Sequence, residues 1–184
     1  MSIYSFVFQD CIARNPKGRF LKFIQQYFRI PGIKILIQYR LCQYLRKNGG
    51  GKIILCMSRL LLEHSCGKYC MTISDGLEAK AGLSFPHNGP FVINPKAKIG
   101  KNCTIHPQVL IGGDRSKGAS PVLGNNVFVG NGAKIIGDCQ IGNWVFIAPG
   151  AIVTKDIPDN SLVGAGLNNV LKQTGKKHVE MYLK

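Results

Sequence analysis

Residues 93–113 read INPKAKIGKNCTIHPQVLIGG, and residues 122–153 read VLGNNVFVGNGAKIIGDCQIGNWVFIAPGAIV. Neither stretch carries the stripe of an amphipathic helix or the strict alternation of a half-buried strand. Their aliphatic residues return at every sixth position: Ile93, Ile99, Ile105 and Ile111, then, beyond a loop, Leu123, Val129, Ile135, Ile141, Ile147 and Val153. Reading backward across a two-residue irregularity adds Ile73, Ala79 and Phe85, so thirteen positions hold thirteen apolar residues. Gly100, Gly112, Gly124, Gly130 and Gly142 each follow one of these positions directly. Asn or Gly often stands two or three places further on, where corners need unusual backbone angles. A period of six fits a short strand, a corner and another strand, wound three to a coil, with each hexad's aliphatic residue pointing into a prism. A single coil cannot bury its own face, so stacking supplies the stability. Thirteen hexads predict about four coils.

The pattern changes near residue 71. Upstream, IKILIQYRLCQYLRKNGGG (33–51) starts after Pro31-Gly32 and ends in three glycines, the start and stop of a helix. Leu41 and Leu45 mark one face, with Arg40, Arg46 and Lys47 among the polar positions. KIILCMSRLLLEH (52–64) predicts the next helix, and residues 2–13 another. The expected organisation is a basic helical region over 1–70, the hexad region over 71–165 and a tail over 166–184.

Hydrophobic content of 45% in 184 residues supports a packed core and excludes a disordered chain. Seven cysteines, an odd number without a Cys-x-x-Cys pair, read as reduced, mostly buried thiols of a cytoplasmic protein. Asp10 and Arg14 interrupt any secretory signal, and no uncharged run reaches the ~18 residues of a membrane span. The net charge of +15 is uneven, +10 over residues 1–70 and +5 over 71–184. A basic front end suits an anionic membrane surface or an anionic substrate, so peripheral contact through residues 1–70 at the inner face of a membrane is one expectation. No aromatic–basic motif of a nucleic-acid reader is present, and none is expected to bind.

The two quoted stretches resemble the hexapeptide-repeat acyltransferases, and more narrowly the serine acetyltransferase-like branch with its shorter relatives from bacterial polysaccharide clusters. IPGIKILIQYRLCQYL (30–45) is weakly similar to that branch's first helix. The resemblance implies a mainly β, left-handed parallel β-helix, assembly as a homotrimer with sites between subunits, and acetyl-CoA as co-substrate, without a metal or a covalent intermediate. It implies that His87, in FPHNGPFVIN (85–94), is a general base that takes the proton of an acceptor hydroxyl. The chemistry agrees: a hydroxyl is a poor nucleophile at neutral pH, and imidazole is suited to remove its proton.

The family pattern orients that base with a carboxylate one place before the first hexad residue. Here the place belongs to Thr72, with Asp75 and Glu78 nearby as substitutes. A second family carboxylate, used to hold an amino-acid acceptor, is replaced by Pro86. These two departures point away from L-serine and toward a sugar hydroxyl of a glycan or polysaccharide precursor, with serine acetylation and a degenerate trimeric module as the alternatives. Along the repeat, the resemblance assigns acetyl-CoA to Gly112, Gly113, Gly130, Asn131, Lys134, Ala148, Pro149 and Lys155, and the acceptor to Asn88 and Arg115; Ser116 replaces a histidine common in the serine enzymes. A zinc hydrolyase on the same scaffold needs three converging histidines. His106 lies about one coil after His87, but His64 and His178 fall outside the repeat.

Overall fold

The computed structural model describes Asp10 and residues 30–49, 51–114 and 116–183. The helix expected over residues 2–13 therefore lies outside the described residues except for Asp10. Helices α1 (Pro31–Asn48) and α2 (Lys52–Tyr69) lead into a prism of short strands. Its first face stacks β1 (Met71–Thr72), β3 (Phe91–Ile93), β6 (Leu110–Gly112), β9 (Lys134–Ile136), β12 (Ala151–Val153) and β14 (Gly166–Leu167). The second stacks β2 (Glu78–Ala79), β4 (Lys98–Ile99), β7 (Val122–Leu123) and β10 (Gln140–Ile141). The third stacks β5 (Thr104–Ile105), β8 (Phe128–Val129), β11 (Phe146–Ile147), β13 (Leu162–Val163) and β15 (Val170–Lys172). Every pairing is parallel except β13 with β15. The chain thus visits the three faces in turn, which makes a parallel β-helix.

Of the thirteen hexad residues, all but Ala79 are buried, and Ala79 is half-buried against the same core. The coils number five rather than four. In the last one the step from Val153 to Ile157, which bridges to Ile141, is four residues, and a six-residue count steps past it. A second interior position sits two residues before each hexad residue: Leu77, Ala97, Cys103, Val109, Val127, Ala133, Cys139, Val145 and Ala151 are all buried. This explains two of the cysteines as small corner fillers. Burial pushes the Cys103 thiol up to about 12 and the Cys139 thiol up to about 11, so both are inert at neutral pH. Cys56 and Cys70, by contrast, are exposed.

The glycines after hexad residues mark where successive coils touch through their backbones. A Cβ on Gly124 would lie 2.7 Å from the carbonyl oxygen of Gly142 one coil on. Gly124→Ala should therefore cost about 1–3 kcal/mol by overpacking. A thermal melt should show this as a fall of several degrees. An amide ladder closes the adjoining corner: Lys101 N donates to Asn125 Oδ1 (2.9 Å), Asn125 N to Asn143 Oδ1 (2.9 Å) and Asn143 N to Asp159 Oδ1 (2.7 Å). Corner amides that lack a strand partner are satisfied this way.

Helix α1 docks on the first coil, and not through the face read from the sequence. Leu41 is exposed, whereas Ile35, Leu36, Tyr39 and Cys42 are buried. Arg40, one of the polar positions of that helix, is only 3% exposed. Its guanidinium pairs with Asp10 at 2.8 Å and donates to the carbonyls of Ala79 (2.7 Å) and Lys80 (2.8 Å). Asp10 in turn accepts from Gly82 N (2.7 Å) and Leu83 N (3.0 Å). The tyrosine beside it, Tyr39, donates to Leu77 O at 2.7 Å.

Helix α2 leaves Ile53, Ile54, Met57, Leu60 and Leu61 each more than half exposed along one side. The C-terminal segment, read as a tail, includes helix α3 (Gly175–Leu183). It lies on the third face, where Val179 is buried against Phe128 and Phe146, and Tyr182 stands 4.6 Å from the Phe128 ring. No helix among the described residues is long and apolar enough to cross a membrane.

Candidate active site

One edge of the prism, between the third and first faces, collects half of the twelve residues assigned above: His87, Asn88, Gly130, Asn131, Ala148 and Pro149. Each coil turns there just after its third-face strand, so His87, His106, Gly130, Ala148 and Gly164 fall on successive rungs. The rungs are tied together: His106 N donates to Val129 O (3.0 Å), Gly130 N to Ile147 O (2.8 Å), Ala148 N to Val163 O (2.8 Å) and Gly150 N to Asn131 O (2.9 Å). His87 and Asn88 stand exposed on the first rung, Asn131 on the third and Pro149 on the fourth. Gly130 is buried, and a Cβ there would meet Pro149 N at 2.6 Å, so backbone forms the surface at this point.

The first face continues from this edge. Its outward positions run Thr72, Val92, Leu110, Lys134 and Ile152 by strand register. Thr72 and Lys134 are thus on the same face, both exposed. Gly112, Gly113 and Lys155 lie instead at the far side of that face, where each coil leaves toward the second. The face separates them from Gly130, Asn131, Ala148 and Pro149. At Gly113 a Cβ would meet Ser120 Oγ (2.6 Å), Ala119 O (2.7 Å) and Asn94 Nδ2 (2.9 Å). Gly113 is therefore packed against the returning end of the loop, with no room for a side chain, and the Ser120 hydroxyl beside it is a buried polar atom without a partner among the described residues.

The loop that follows is held by Asp114, whose Oδ1 accepts from the Ser116 hydroxyl (2.6 Å) and Ser116 N (2.9 Å), and these bonds hold its carboxyl below the usual range. Ser116 is therefore a loop-closing residue. Arg115, expected to meet the acceptor, lies outside the described residues.

Two of the proposed partners for His87 are committed elsewhere. Arg59 holds Asp75 through two bonds of 2.9 and 2.7 Å, and Glu78, on the second face, sits 3.8 Å from Lys98. Among the described residues, the ring that meets His87 is that of His106, with centroids 5.3 Å apart and planes tilted by 51°. The sequence reading weighed His106 only as a metal ligand. Its real signal was position: His106 directly follows the hexad residue Ile105 and His87 stands two places after Phe85 on the preceding rung, so the two meet across adjacent coils. His106 is half-buried, and burial, with His87 alongside, pulls its pKa down. It continues a column of rings through Phe128 at 4.7 Å to Phe146, stacked on Phe128 at 4.6 Å and 3°. Among the described residues no three His, Cys, Asp or Glu side chains converge as metal ligands.

Comparison with known proteins follows this geometry. Residues 120–155 match the family model "Bacterial transferase hexapeptide (six repeats)". A serine acetyltransferase of Synechococcus elongatus is 31% identical over 170 residues, covering 91% of this chain and 67% of the relative. One from Helicobacter pylori is 36% identical over 145 residues, covering 77% of this chain and 82% of the relative. Among solved structures, Entamoeba histolytica serine acetyltransferase isoform 3, in complex with cysteine, superposes with a TM-score of 0.73 at 28% identity. That match covers 89% of this chain but only 58% of the Entamoeba chain. Neisseria gonorrhoeae serine acetyltransferase, in complex with serine, gives a TM-score of 0.76 at 23% identity and supports the fold alone.

These relatives overturn the expectation of glycan O-acetylation. It rested on two single positions, Thr72 and Pro86, whereas the similarity to serine acetyltransferases runs through most of the chain. The prism is the left-handed parallel β-helix expected of the repeat, and the chain belongs to the serine acetyltransferase family of hexapeptide-repeat acyltransferases.

Proposed function

We propose that this chain transfers the acetyl group of acetyl-CoA to the hydroxyl of L-serine, with His87 as general base. The observation that carries the reading is its 36% identity to a serine acetyltransferase over 82% of that relative's length. The exposed position of His87, at the head of an edge lined by backbone, agrees with it. His87 takes the proton as the serine oxygen forms a bond to the thioester carbonyl carbon. The carbon–sulfur bond then breaks, and the proton passes from the imidazolium to the departing thiolate. Acetyl-CoA, on this reading, lies along the edge past Gly130, Asn131, Ala148 and Pro149, with Gly112, Gly113, Lys134 and Lys155 across the first face. Asn88 and Arg115 meet the acceptor. Thr72 and Pro86 remain departures from the family pattern that the enzyme tolerates.

The test is CoA release from acetyl-CoA by the purified full chain, with L-serine, with no acceptor, and with a panel of nucleotide sugars and glycans. Serine-dependent release is expected. Release with sugars alone, or equal release without acceptor, would overturn the reading.

Assembly as a homotrimer is part of the same proposal. The apolar side of α2, with Leu60 60% and Ile53 78% exposed, supports a contact between copies, because a monomer would leave it in water. Leu60→Glu should shift the mass measured by light scattering toward the monomer. A peripheral contact of residues 1–70 with an anionic membrane rests on their charge alone, and cosedimentation with anionic vesicles tests it.

A further inference from the structure

We propose that His106 is the positioning residue of His87, fixing the orientation and tautomer of the base through an acceptor nitrogen of its adjoining ring, in the role that a carboxylate fills in the family pattern. The inference builds on the reading of His87 as base. A general base works best when an acceptor on its other nitrogen selects one tautomer. Thr72 offers only a hydroxyl, while Asp75 and Glu78 face Arg59 and Lys98.

His106 has what the role requires. Its ring touches that of His87, with 5.3 Å between centroids. Its backbone is fixed to Val129, and its other side rests on Phe128 at 4.7 Å. Phe128 is held in turn by Phe146 and by Tyr182 of α3. A ring held this way loses little entropy in orienting another. Burial favours the uncharged form of His106, which leaves one ring nitrogen free to accept. Of the titratable groups on the packed helix α3, His178 and Tyr182 contact the Phe146 and Phe128 rings, and Lys176 pairs with Glu180 at 4.0 Å. The two imidazoles are in contact rather than hydrogen-bonded here, and catalytic hydrogen bonds commonly tighten only when substrate binds.

The test uses ring-¹⁵N-labelled histidine in the full chain, comparing wild type, His106→Phe and His106→Gln. Phenylalanine keeps the ring packing on Phe128 and removes the acceptor; glutamine restores an acceptor. His87 should show one dominant neutral tautomer in wild type, a mixture in His106→Phe, and a return toward one form in His106→Gln. With serine as acceptor, kcat of His106→Phe should fall on the order of 10-fold with KM for acetyl-CoA within about twofold. Identical His87 spectra in all three proteins would overturn the proposal. So would a change in His106→Phe that glutamine does not reverse, because packing alone would then explain it. A wild type inactive on serine would refute the acceptor assignment, and the spectra, which need no acceptor, would still decide the role of His106.

Discussion

Replacing His87 by alanine should lower kcat for serine-dependent CoA release by about 10²–10⁴-fold while leaving KM for acetyl-CoA within about twofold. The size follows from what the imidazole does. Without it the serine hydroxyl must lose its proton to water or to a less well placed base: among the described residues the adjoining imidazole, His106, is half-buried on the next rung. Asp75 is bound to Arg59, and Glu78 lies on the second face next to Lys98. The small effect on KM follows from position. His87 stands exposed on the first rung, whereas the stretch assigned to the cofactor runs along later rungs from Gly130 to Pro149. Steady-state rates for wild type and variant, each at saturating acetyl-CoA, separate the two quantities. A variant that retains wild-type kcat would remove His87 from the chemistry.

Replacing Arg40 by leucine should cost about 3–5 kcal/mol, because it breaks a buried ion pair by taking away only one member. Asp10 would keep its two backbone donors, Gly82 and Leu83, but would hold a carboxylate in the interior without its cation. The carbonyls of Ala79 and Lys80 would lose their donor as well. At this chain length the loss should appear as a fall in Tm on the order of 10 °C. The double replacement of Asp10 and Arg40 by apolar residues should be less damaging than Arg40→Leu alone, since no charge is then left uncompensated. Thermal melts of the two single variants and the double variant form the cycle that checks this.

The prism was readable because its period is set by geometry: a side chain reaches the core once per side, and only an aliphatic residue fits there. The neighbouring interior positions were harder to see. Ala97, Cys103 and Ala133 are small enough to pass for surface residues until the corner that encloses them is known. The buried side of α1 was misread for a different reason. Tyr39 and Arg40 look polar in a helix, and their burial depends on Leu77 O and Asp10, partners 38 and 30 residues away that no local pattern reveals.

At the candidate site, His87 was marked by the break in the repeat that surrounds it. Its contact with His106 could be placed only once the coil length was known. The losses at Thr72 and Pro86 point away from serine only where no other group can orient the base, and His106 stands beside His87 on the adjacent rung.

The backbone contact at Gly124 has a consequence for reach. Where coils touch without side chains between them, their spacing is that of neighbouring strands, about 4.8 Å. Three such steps separate the rung of His87 from that of Ala148, a span of about 14 Å along a rigid edge. The molecule is in this respect a ruler graduated in whole coils. Loops such as residues 113–121 can lengthen or shorten without moving a graduation, whereas gaining or losing one complete coil would displace the far end of an extended substrate by a full step. Fit to a long, thin ligand can therefore change in counted units, while the reacting end stays where it was.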